Sequence, residues 1–148
     1  MYEYSKLPIA LEYLEAAIEE RETHKRYFAA MNLAGVAEEL LGKIIRGQGK
    51  TDQLTQATDT LMKIHENVKG IIELGFNNPK EFKKLAGSTK NSIKHMHRAS
   101  DLNSKLYFEV EDESKWFIQA AIWNLDILEI ERSGRVHDFV KLNPNTED

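Results

Sequence analysis

At 148 residues the chain has room for one domain with a single well-buried core. Its 41% hydrophobic and 30% charged residues exclude an intrinsically disordered chain. The net charge of −4 excludes a protein coated in positive potential. With no cysteine, disulfides, thiolate metal sites and cysteine nucleophiles are excluded too, and a reducing cytoplasmic setting is expected.

In chain order, the spacing of Leu7, Leu11, Leu14 and Ile18 predicts a helix from about Leu7 to Arg21, with Glu12, Glu15 and Glu19 largely off the apolar stripe. Ser5 and Pro8 suit its start. A second helix is expected from about Lys25 to Arg46. Leu33, Val36, Ala37, Leu40 and Ile44 form one face, and Phe28, Met31, Gly35 and Gly42 lie opposite. Two glycines seven apart let a neighbouring backbone approach, so this helix is expected at the centre. Glu38, beside that glycine line, is expected to be partly buried and to need a donor.

A third helix, about Asp52 to Leu74, shows a coiled-coil-like seam of Leu54, Ala57, Leu61, Ile64, Val68 and Ile71. Lys80 to Ala86 reads as a short helix, and Ser88 or Thr89 can cap another that carries Lys90 to Arg98. Leu106 to Val110 looks extended. The last helix opens on Asp112-Glu113-Ser114 and is expected to end at Gly134. Trp116, Ala120, Trp123, Ile127 and Ile130 line one face of it, widened by Phe117, Ala121, Leu125 and Leu128. So broad an arc is either buried centrally or half of a dimer interface, and Asn124 within it needs hydrogen-bond partners. The expected fold is therefore all-α: one domain over 1–148, an up-and-down bundle of about five helices. A short extended segment is expected near 105–110, and a polar tail over 143–148. Neither a signal peptide nor a membrane-spanning run is recognisable, so no membrane contact is expected.

Charge is unevenly spread. Between Pro79 and Arg98 stand six Lys or Arg and one acid, a local net of +5 that leaves −9 for the other residues. An anion would be drawn to that segment. Within it Asn91, Lys94, His95 and Arg98 share one face of a helix at i, i+3, i+4 and i+7, while Ile93 and Met96 point the other way. Nearby cations disfavour imidazolium and keep His95 neutral, able to take a proton. Lys90, Lys94 and Arg98 can stabilise a phosphate that gains charge, and Asn91 can orient the ring or a phosphate oxygen. That set suits metal-free cleavage of RNA by its own 2′-hydroxyl. Equally, Asn91 and His95 can brace the fold by bonding Glu38. The residues three before the five histidines are Arg21, Met62, Ser92, Lys94 and Gly134, none acidic. A ferritin-like di-iron site is not expected on that pattern, and neither is another metal or cofactor.

Two segments, Ala37-Glu38-Glu39-Leu40-Leu41-Gly42-Lys43 and Lys90-Asn91-Ser92-Ile93-Lys94-His95, resemble the HEPN superfamily (higher eukaryotes and prokaryotes nucleotide-binding). More narrowly, Asn91-x-x-Lys94-His95-x-x-Arg98, followed by Asp101 and Leu106-x-Phe108, is similar to a group of uncharacterised bacterial helical proteins. The resemblance implies a helical bundle, often a homodimer with the motif at the dimer cleft, and in many members a metal-independent ribonuclease. It implies His95, Lys90 and Asn91 as catalytic residues, and Lys94, Arg98 and Glu38 as residues that bind the RNA or nucleotide. Lys90 stands where the family places arginine, and lysine cannot make the same bidentate phosphate contact. Arg132-x-x-x-x-His137 also matches the family spacing, but is set aside because it straddles Gly134 at an expected helix end. The alternative expectation is a non-catalytic scaffold or subunit of a protein partner, in which the Asn91/His95 motif is structural.

Overall fold

Alanine and glycine decide which helix sits in the middle. The structure, a computed structural model, describes residues 3–68, 78–86 and 109–144. Among them are six helices and no strand: α1 (Lys6–Glu22), α2 (Tyr27–Gly47), α3 (Gln53–Val68), α4 (Pro79–Ala86), α5 (Val110–Ile127) and α6 (Gly134–Leu142). The all-α bundle is as expected. Helix α2 buries Ala30, Ala34, Gly35, Ala37 and Gly42, and these small residues let α1 and α5 lie along it from two sides. Its central place also agrees with expectation, but its buried face does not. Met31, Leu41 and Ile45 fill the core together with the alanines, whereas Leu33, Val36, Leu40 and Ile44 are only half-buried. The cause is close approach: two helices meeting on α2 need small residues where they touch it, and push the larger ones to the margins.

Helix α1 contributes Ala10, Leu14, Ala17 and Ile18 to the core. It turns into α2 through Thr23–Arg26, where Lys25 adopts φ +56°. At this corner the buried Arg21 guanidinium lies 5.9 Å from the Tyr27 ring centre and 6.0 Å from that of Phe139. The seam expected on α3 is only partly covered: Leu54, Ala57 and Leu61 are half-buried and Ile64 is exposed, and among the described residues α4 and α5 are its main neighbours. Residues 69–74, expected to continue that helix, and residues 105–108 of the expected extended segment lie outside the described residues; Glu109 is extended, but Val110 already opens the next helix.

Helix α5 buries Phe117, Ile118, Ala121, Ile122 and Leu125 and leaves Trp116 and Trp123 half-buried. It ends at Ile127, with Glu129 at φ +57°, so Ile130 is not on its face but in the link that follows. Gly134 does not end a helix; it begins α6. Ser133 is the N-cap, its Oγ accepting from Val136 N at 3.4 Å, and Val136 and Phe139 enter the core. Helix α6 folds back on α1, where Arg135 pairs with Glu15 and Glu19. The Arg135 hydrogen bond and charge hold the Glu19 carboxyl below its ordinary pKa. No helix of the described residues is long and apolar enough to cross a membrane.

Candidate nucleic-acid interface

The described part of the basic segment is α4. Asn78 starts this helix, its Oδ1 accepting from Glu81 N at 3.0 Å, and Pro79 fills the first position, where a missing N–H costs nothing. Lys80, Lys83 and Lys84 are all exposed on it, and Phe82 is half-buried. Helix α4 rests on α3, and Lys83 Nζ donates to Thr55 Oγ1 at 3.1 Å. This bond fixes a cationic surface beside the first turns of α3.

Those first turns are themselves anchored to the bundle by a buried polar knot. Asp52 caps α3: it is fully buried, its Oδ1 accepts from Thr55 N at 2.8 Å, and its Oδ2 pairs with Arg46 of α2. Asn124 of α5, also fully buried, accepts from Gln53 N at 2.9 Å and donates through Nδ2 to the Glu38 carbonyl at 3.2 Å. One side chain thus ties α2, α3 and α5 together, as the apolar arc around Asn124 requires. Gly42 faces the same knot. A Cβ there meets Arg46 Nη1 at 3.2 Å, Asp52 Oδ2 at 3.3 Å and Asn124 Nδ2 at 3.7 Å. Gly42→Ala is expected to be nearly neutral, since a helix-propensity gain of about 1 kcal/mol offsets small shifts of the Arg46 tip. Gly42→Val adds two more carbons and is expected to lose about 1–3 kcal/mol in urea unfolding.

Glu38 is the one expected site residue among those described, and it is 8% exposed, so its burial agrees with expectation. Lys90, Asn91, Lys94, His95 and Arg98 lie outside the described residues. The second match to the family spacing is described. Arg132 holds Asp126 through two bonds of 2.9 and 2.6 Å, and His137 is exposed on the first turn of α6. Because Gly134 opens α6, the reason for setting this pair aside no longer holds; instead, the Arg132 guanidinium is already occupied by a carboxylate.

An open groove between α3 and α5 is not foreshadowed by any motif. Gln53, Gln56, Ala57 and Thr60 face it from α3, and Trp123, Asp126 and Ile127 from α5, around a volume of about 540 Å³. Both sets follow helical spacing, so the groove is two facing stripes. Helical spacing can supply each stripe, but not their juxtaposition. Among the described residues no group of three or more His, Cys, Asp or Glu is placed to hold a metal ion. Set against protein-family profiles, curated proteins and solved structures, the chain matches none.

Proposed function

We propose that this chain is a HEPN-like RNA-binding protein that meets its ligand with the basic segment 79–98, and that His95 serves there as general base or acid in metal-independent cleavage. One observation carries the binding reading: a local net of +5 within a chain of net −4. Three of those cations, Lys80, Lys83 and Lys84, stand exposed on a helix held against the bundle. A single-stranded polyanion neutralised by such a surface releases its counterions, so affinity falls as salt rises.

The test is the salt dependence of binding to an unstructured RNA oligomer by the full chain and by the double variant Lys80→Glu and Lys84→Glu. Wild type is expected to bind with a steep log–log slope. The variant is expected to bind more weakly, with a slope shallower by about 0.7 for each phosphate it no longer neutralises. Identical slopes and affinities would overturn the assignment of the interface to this segment.

The burial of Glu38 favours a second reading, in which the Asn91/His95 motif braces the fold and the chain is a scaffold or partner subunit. Thermal melts separate the two. Large stability losses in Asn91→Ala and His95→Ala point to bracing, and unchanged melts with weakened RNA binding point to a site.

A further inference from the structure

We infer that the groove between α3 and α5 takes a nucleobase of single-stranded RNA, an inference that rests on the RNA-binding reading above and names the form of the ligand. At about 540 Å³ the groove is within the range of small-molecule sites, roughly 300–1,000 Å³. Its lining selects the chemistry. Half-buried Trp123 supplies an aromatic surface on one wall, while Gln53, Gln56 and Thr60 supply amides and a hydroxyl on the other. Among the described residues no lysine or arginine lines it, and the one charge in its lining, Asp126, is matched by Arg132. It is therefore built for a neutral planar group and not for a phosphate.

Most of the lining polar groups are already engaged. Gln56 Nε2 donates to the Thr51 carbonyl at 3.0 Å, and Thr60 Oγ1 donates to the Gln56 carbonyl at 3.0 Å. Gln53 Oε1 is not: it is inaccessible to water and has no hydrogen-bond partner among the described residues. A buried acceptor left without a donor is costly. Turning the Gln53 amide toward the groove lets it accept from a ring N–H or exocyclic amine, which every nucleobase but not every aromatic group provides. Stacking on an aromatic ring is how bases of a single strand are held without sequence readout, and Trp123 offers such a ring here.

Tryptophan emission reads this directly. In the Trp116→Phe background Trp123 is the sole indole. Adenosine and uridine are expected to quench it, ribose 5-phosphate is not, and a short unstructured RNA is expected to quench at lower concentration than the free nucleosides. In the same background Ala57→Phe, which fills the floor of the groove, and Gln53→Leu, which removes the acceptor, are each expected to weaken nucleoside quenching about tenfold or more. Melts check that both remain folded; should one not fold, the other alone decides the result. RNA binding that depends on Lys80 and Lys84 but leaves Trp123 emission unchanged overturns the groove while the RNA-binding reading stands. Nucleoside quenching without RNA binding leaves the groove standing and overturns that reading. Emission that shifts with protein concentration and not with nucleoside shows a second copy on this surface, and overturns the inference.

Discussion

Replacing Asn124 with leucine is expected to lower the unfolding free energy by about 2–3 kcal/mol and Tm by roughly 6–10 °C. Leucine keeps the branched shape of asparagine with bulkier methyl ends, so no cavity contributes. The loss comes from polar groups that Asn124 satisfies in a fully buried position. Gln53 N, in the first turn of α3, has no carbonyl one turn back within its own helix and depends on Asn124 Oδ1 at 2.9 Å. The Glu38 carbonyl loses a donor at 3.2 Å but belongs to the interior of α2, where the helix supplies another, so its share is smaller. Leaving the buried N–H unsatisfied costs about 1–3 kcal/mol, its lost bond included, and the weaker bond to Glu38 adds a smaller share. Urea unfolding with an unchanged m-value checks this. A loss below about 0.5 kcal/mol would show that the knot does not hold α3 to the bundle.

The largest functional effect is expected at His95. Wild-type protein in excess chelator is expected to cleave unstructured RNA, leaving cyclic phosphate ends, and His95→Ala is expected to cleave about 10²–10⁴-fold more slowly while still binding RNA. Chelator matters because, in the proposed reaction, the 2′-hydroxyl is the nucleophile and cationic side chains rather than a metal would stabilise the developing charge. Lys90→Arg offers a gain-of-function arm, since arginine makes the bidentate phosphate contact that lysine does not. His137→Ala belongs in the same series because His137 is exposed on α6. Loss of cleavage there and not at His95 would move the chemistry to α6. Equal cutting by wild type and His95→Ala, or none by either, removes the enzyme and leaves the binding protein.

How legible the fold is depends on the kind of signal. Helices marked out by apolar spacing, glycine and proline are visible: α1, α2 and α4 fall within about two residues of where the pattern places them, although neither Ser5 nor Arg26 caps its helix with a side-chain bond. The break between α5 and α6 is hidden because no glycine or proline marks it. The chain turns at Glu129, a residue that rarely takes positive φ. The one glycine nearby, Gly134, reads as a stop, whereas Ser133 before it is a start signal. The buried face of α2 is misjudged for a different reason. Apolar spacing weights large residues, whereas a helix packed on both sides is chosen by its small ones, here Ala30, Ala34 and Ala37. Within the site, the need of Asn124 for partners and the burial of Glu38 follow from polar groups set in apolar stripes. The pairing of Asp52 with Arg46, and the meeting of Gln53 with Trp123 across a groove, depend on which helices become neighbours. A single sequence does not state that.

The most direct test of the interface is photo-crosslinking. Unstructured RNA carrying 4-thiouridine is irradiated with the full-length protein at low salt, and the adducts are mapped by peptide mass spectrometry. Adducts between Pro79 and Arg98 and on the groove walls of α3 and α5, abolished when about 0.5 M salt is added before irradiation, are the predicted result. Adducts confined to the acidic surface of α1, or a pattern indifferent to salt, would contradict an interface built on the basic segment.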